Sequence, residues 1–171
     1  ERVGVNQRWS DTRGVDTHGF QRLSGYVDWF RDGSTDPKAQ MEIIQETPAV
    51  VVADGHHGLG QLVISRFMEH LIEVAKTSGL VAGVIRNSND WGCGANYPYS
   101  AAEAGFVCYG TTTSVPNLAP FGSRRKLFCN NPIVWTFPRR DDAPIVLDMA
   151  MTPVALGKVL RARAEGTESP E

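Results

Sequence analysis

Apolar residues recur along this chain with two different periods, and the switches between them divide it into helices and strands. Phe20, Leu23, Val27 and Phe30 recur at intervals of three and four, which predicts a helix over residues 16–31. The run Asp32-Gly33-Ser34-Thr35-Asp36-Pro37 ends it. Residues 41–46 and 49–53 are short β-branched runs separated by Pro48, as expected for strands in a hairpin or on a sheet edge. A glycine-rich turn over 55–60 then launches a helix over 61–77. Its expected buried face is Leu62, Phe67, Met68, Leu71, Ile72 and Ala75, and Gly79 supplies the stop.

The second half alternates in the same way. Residues 80–85 form an apolar strand that delivers Arg86-Asn87-Ser88-Asn89-Asp90 at its carboxyl end, where chemistry is often carried. Residues 99–105 predict a short helix and 106–113 a strand ending in hydroxyls. The Pro-, Gly- and Asn-rich stretch 115–132 is expected to be an ordered loop packed by Leu118, Phe121, Leu127 and Phe128. Strands over 133–137 and 145–147 flank a polar turn, and a last helix covers 153–164. The fold class is therefore α/β, an α+β arrangement on a mixed sheet, with no internal repeat.

Bulk properties narrow the functional classes. The 171 residues, 42% hydrophobic, suffice for one domain-sized core. With 17 basic and 19 acidic residues the net charge is −2, so no basic surplus points to nucleic acid or an anionic membrane. Apolar runs are broken well short of a bilayer span and the start lacks a signal-peptide pattern, which makes the cytoplasm the expected location. Cys93, Cys108 and Cys129 match neither a zinc site nor a disulfide framework and read as core thiols. Gly55-His56-His57-Gly58-Leu59-Gly60 has neither phosphate-loop spacing nor metal-ligand company, and reads as a turn; no metal site is expected. Trp29, Trp91 and Trp135 read as packing residues.

The candidate chemistry lies in Asp11-Thr12-Arg13-Gly14-Val15-Asp16-Thr17-His18-Gly19-Phe20-Gln21-Arg22. On a helix the i,i+4 spacing would set His18 and Arg22 on one face. An imidazole near neutrality exchanges a proton with a carbonyl oxygen, and a guanidinium grips a carboxylate through paired hydrogen bonds. The pair suits a small 2-oxo or 2-hydroxy acid. Taken alone, the same residues also read as a polar helix N-terminus.

This segment, together with Asp54-Gly55-His56-His57-Gly58-Leu59-Gly60-Gln61, Arg86-Asn87-Ser88-Asn89-Asp90-Trp91-Gly92, Ala119-Pro120-Phe121-Gly122, Asn131-Pro132-Ile133 and Val146-Leu147-Asp148-Met149-Ala150, resembles the type-2 malate/L-lactate dehydrogenase family in order and spacing, from about Asp11 to Pro170. The family includes ureidoglycolate and sulfolactate dehydrogenases and diketogulonate and piperideine-2-carboxylate reductases. The resemblance implies a non-Rossmann fold and reversible hydride transfer between NAD or NADP and a 2-hydroxy or 2-oxo acid, or an imine. His18 would carry the proton, Thr17 and Asp148 would orient it, and Arg22 would hold the substrate carboxylate. Ser114, Asp148, Met149 and Ala150 would contact the cofactor.

The resemblance also divides the chain. Residues 1–80 would be a substrate-side scaffold and 81–171 part of the cofactor-binding domain. Against the family, Asp90 stands where many members carry a histidine beside the substrate, and is expected to repel a carboxylate there. Thr113, Cys129 and Asn130 also depart from the usual residues. Residues 1–10 look too short and irregular for the helix that members carry before this motif, and the second portion of the family fold is not in the sequence. Exposed apolar surface would then call for a partner, most simply a second copy. A relative that keeps the pocket without redox chemistry, as a cofactor-independent catalyst or a binding protein, is the alternative.

Overall fold

The computed structural model describes residues 2–168 apart from 153 and 155. A helix, α1 (Arg2–Asp11), opens the chain, contrary to the irregular start expected there. Its buried residues are Asn6, Gln7 and Ser10. That polar buried face carries no apolar stripe, so periodicity had nothing to detect.

Residues 16–31 do not form one helix. Two 3-10 turns, Asp16–His18 and Phe20–Arg22, precede α2 (Leu23–Arg31), with Gly19 in extended backbone between them. A side chain at Gly19 would collide with Asp11, its Cβ only 1.7 Å from Oδ1. The Asp11 carboxylate takes that space and accepts the Phe20 N–H at 3.1 Å. The apolar stripe is also not the buried face: Phe20, Leu23 and Val27 are exposed, and α2 buries Tyr26 instead.

Strands β1 (Glu42–Glu46) and β2 (Val50–Gly58) form the expected antiparallel hairpin. The nineteen-residue helix α3 (Gly60–Ser78) then crosses over to β3 (Ala82–Ser88), which pairs parallel with β2 in the sheet order β1-β2-β3. Val51 and Ala53 of β2 and Phe67 of α3 make the core, flanked by Ile43, Leu71, Val74 and Ile85. Phe67 and Ala75 are buried as expected; Leu62, Met68, Leu71 and Ile72 are only half-buried, while Gln61 and Val63 are buried. Gly79 caps the helix in the left-handed conformation, which glycine adopts without steric cost.

Where a glycine turn is expected over 55–60, residues 55–58 are the end of β2, Leu59 caps α3 and Gly60 begins it. His56 and His57 have left-handed backbone, as does Asn87 on the neighbouring strand. Buried Asp54 stabilises that distortion by accepting the His56 N–H at 2.9 Å, Arg86 Nε at 2.9 Å and Asn87 Nδ2 at 2.8 Å.

A second sheet, β4-β5-β6, is wholly antiparallel: β4 (Cys108–Thr111), β5 (Ile133–Phe137) and β6 (Ile145–Met149). Helix α4 (Asn96–Glu103) precedes it. Cys93, Ala95 and Val134 form a second small core with Trp9, Val15 and Trp91. The loop over 115–132 is not packed as expected, since Phe121, Leu127 and Phe128 are exposed; backbone hydrogen bonds tie its arms instead, among them Leu118 N–H to Phe128 O at 2.9 Å and Leu127 N–H to Leu118 O at 2.8 Å. The last helix, α5 (Leu156–Glu165), begins after Pro153, a residue outside the described ones. No helix among the described residues is long and apolar enough to cross a membrane.

Candidate active site

Thr17 is buried and His18 half-buried at the end of the first 3-10 turn. Thr17 Oγ1 lies 3.0 Å from His18 Nδ1, so a hydroxyl holds one ring nitrogen and the other is left for a ligand. Because Gly19 breaks the helix, His18 and Arg22 do not stack on one helical face as the spacing suggested. They remain electrostatic neighbours nonetheless. Burial holds the His18 pKa below its ordinary 6.5; Arg22 pushes it the same way, and Asp90 and Asp148 oppose. The imidazole is therefore neutral at pH 7.

Arg22 is already engaged. Its Nη2 donates to Asp90 Oδ2 at 3.0 Å, and the Tyr26 hydroxyl donates to the same oxygen at 2.9 Å. Gln61 Nε2 in turn donates to the Tyr26 oxygen at 2.7 Å. Tyr26 and Gln61 are buried, so the donors that support Asp90 are fixed from within the fold. The expected repulsion between Asp90 and an incoming carboxylate is thus accompanied by direct pairing with the cation meant to receive it. Arg22 Nε is buried without a hydrogen-bond partner among the described residues.

Most of the Arg86–Asp90 run is structural. Arg86 and Asn87 bind Asp54, and Asn89 Nδ2 donates to Ser34 O, Thr35 Oγ1 and His57 O at 2.9, 2.7 and 3.0 Å. Asp90 alone of these side chains reaches the Arg22 site. Its backbone is held by a close approach: a Cβ on Gly60, the first residue of α3, would meet Asp90 O at 2.4 Å.

Asp148 does not hydrogen-bond the imidazole. Its Oδ2 accepts the Ala95 N–H at the start of α4 at 3.0 Å, a favourable place for an anion, with Cys93 Sγ at 3.8 Å. Desolvation raises the Asp148 carboxyl above its ordinary range, opposed by the Ala95 N–H and by His18. Burial pushes the Cys93 thiol up to about 11, so it is not a thiolate at neutral pH.

Ser114, Met149 and Ala150 make no hydrogen bond with His18, Arg22 or Asp90 among the described residues. Thr111 pairs with Ile133 and Ile133 with Met149, so the stretch leading to Ser114 and the end of β6 sit at the same end of the second sheet. Ser114 and Met149 are exposed. Asn130, one of the departures from the family pattern, accepts the Met151 N–H at 2.9 Å through Oδ1. Among the described residues no cluster of His, Cys, Asp or Glu is suited to hold a metal ion.

Sequence reading missed Tyr26, Gln61 and the contact of α5 with the His18 turn. Tyr26 follows Arg22 by four positions, a helical spacing that signals shared use. Arg161 of α5 pairs with Asp16, 145 residues away, for which the sequence holds no local signal.

A family model described as malate/L-lactate dehydrogenase matches residues 5–171. The malate dehydrogenase of Pyrococcus horikoshii is 38% identical over 169 residues, 99% of this chain and 47% of the relative. Its solved structure superposes with a TM-score of 0.88, covering 92% of this chain and 45% of that one. A (2R)-3-sulfolactate dehydrogenase (NADP(+)) of Chromohalobacter salexigens is 34% identical, covering 92% of this chain and 47% of the relative. The ureidoglycolate dehydrogenase (NAD(+)) of Escherichia coli K12 is 28% identical, covering 95% and 47%. The chain thus spans about half the length of the curated relatives it matches. With a family match over nearly all its length and a shared fold, it belongs to the malate/L-lactate dehydrogenase family.

Proposed function

We propose that this chain is the substrate-holding and proton-transferring part of an NAD(P)-dependent oxidoreductase for a small 2-hydroxy or 2-oxo acid, or a cyclic imino acid. The observation that carries the reading is the Thr17–His18 pair, held 3.0 Å apart and flanked by the Arg22, Asp90 and Asp148 charges. A half-buried, neutral imidazole accepts a proton from a hydroxyl during oxidation and returns it to oxygen or nitrogen during reduction. Asp148 favours the protonated ring through space, Thr17 sets its orientation, and Arg22 draws the substrate carboxylate.

When bound, the nicotinamide supplies or takes the hydride. Ser114 and the 148–150 strand end fit such a group in offering an open hydroxyl and exposed backbone at one end of a sheet whose Asp148 interacts with His18. The names of the relatives, which include NAD(+) and NADP(+) enzymes, support the same reading. On it, residues 1–80 together with Asp90 serve the substrate and the rest of 81–171 the cofactor. The exposed apolar residues Tyr109, Phe137, Ile145, Leu147 and Met149 favour a second copy as partner, and three free cysteines suit the cytoplasm.

The Arg22–Asp90 pair favours a second reading, a non-redox relative using the same pocket, because it occupies the anion grip. Titrating the chain with NADH and NADPH while following nicotinamide fluorescence separates the two. Saturable binding of at least one is expected; folded chain that binds neither overturns the redox reading.

A further inference from the structure

We propose that Asp90 sets the charge preference of the Arg22 site: among small carboxylic acids it selects those with a positive group near the reacting carbon and rejects those with a second anionic group. The inference rests on the reading of Arg22 as the carboxylate grip, and concerns which acid that grip admits.

Asp90 is held as a fixed part of the site. Its Oδ2 receives both Arg22 Nη2 and the Tyr26 hydroxyl, Tyr26 is anchored by Gln61, and the close approach of Gly60 holds its backbone. The side chains of Arg22 and Asp90 are still 36% and 22% exposed, so a ligand can reach the pair. A guanidinium has five donors and Asp90 uses one of them, which leaves donors for a substrate carboxylate. That carboxylate then shares its cation with Asp90. Asp90 already pairs with the one guanidinium of this site, so a monoanionic acid is tolerated at a cost and a second anionic group meets uncompensated repulsion.

A cationic group has the opposite experience. Asp90 Oδ1 has no hydrogen bond among the described residues, and it is free to receive an ammonium or iminium N–H once Oδ2 is taken. A zwitterion would also leave the charge of the site unchanged. Such selection by a built-in repulsive group is a general route to specificity.

The test is calorimetric binding of three acids to the chain: L-malate for a second anion, L-lactate for a neutral neighbour and L-proline for a zwitterion. Proline is expected to bind at least about tenfold more tightly than malate. Asp90→Asn keeps the shape and an acceptor for Tyr26, and is expected to bring that ratio to one or reverse it. Asp90→Ser, with a melting curve for each variant, repeats the comparison should the amide disturb packing. Malate binding as well as proline in the parent chain, or a ratio unmoved in both variants, overturns the proposal. Arg22→Gln separates the layers. Affinities lost in Arg22→Gln with a ratio indifferent to position 90 overturn this proposal alone, whereas affinities unchanged in Arg22→Gln, or no binding by the parent chain, overturn the reading beneath it as well.

Discussion

Gly157 of α5 lies against Thr17: a Cβ at position 157 would come within 2.9 Å of the Thr17 Cβ. Arg161, one turn further along the same helix, pairs with Asp16. The helix thus clamps the turn whose hydroxyl orients His18. Gly157→Ala gains about 1 kcal/mol of helix propensity but must displace a side chain with no flexible end to yield, an overpacking cost of about 1–3 kcal/mol. Turnover is expected to fall roughly tenfold or more, since small misplacements of a catalytic group are costly. Turnover equal to that of the parent, measured alongside thermal unfolding, would remove α5 from the site.

Thr17 is expected to act through its oxygen. Thr17→Val deletes the bond to His18 Nδ1 and should lower the rate about tenfold with little change in substrate affinity, while Thr17→Ser should restore most of it. Equal rates in the valine and serine variants would assign Thr17 to packing alone.

Stability should depend on pH through His18. The unfolded chain protonates this ring near 6.5, whereas the folded chain, which buries it, does so only at lower pH. The unfolded state therefore binds more protons in that window. Its contribution is complete above 6.5 and is lost as pH falls through 6.5 toward the folded value. Urea unfolding at about pH 7.5 and about pH 5.5 should show a larger loss in the parent than in His18→Gln, which cannot titrate. The same loss in both would show that the ring is not desolvated.

Much of the fold is legible in the sequence. The hairpin, the crossover helix with its Gly79 stop and the strands of the second sheet follow from periodicity and turn chemistry, which report burial of apolar faces. What escaped was held by polar burial and by contacts distant in sequence. Helix α1 buries Asn6, Gln7 and Ser10, so it has no stripe to read. The helix expected over 16–31 breaks at Gly19, where the Asp11 carboxylate fills the space a side chain would need and accepts the Phe20 N–H. Position 90 stood out as an anion against the resemblance, but its bond to Arg22 depends on the loop after β3 being brought beside Arg22 and Tyr26. No local pattern encodes that.

Tyr26 supports Asp90 from the core, and removing its hydroxyl isolates two buried groups at once. Tyr26→Phe leaves Gln61 Nε2 without its acceptor and Asp90 Oδ2 with one donor fewer, at an expected cost of about 1–3 kcal/mol in urea unfolding. A variant as stable as the parent would show that the network is not taut.

The account stands or falls on His18 as the proton carrier, and its most direct test is NADH- or NADPH-dependent reduction of a small 2-oxo or cyclic imino acid by the parent chain and by His18→Gln, with cofactor binding followed in parallel. The expected result is a loss of roughly a hundredfold or more in turnover while cofactor binding persists. His18→Gln turning over at the parent's rate would contradict it.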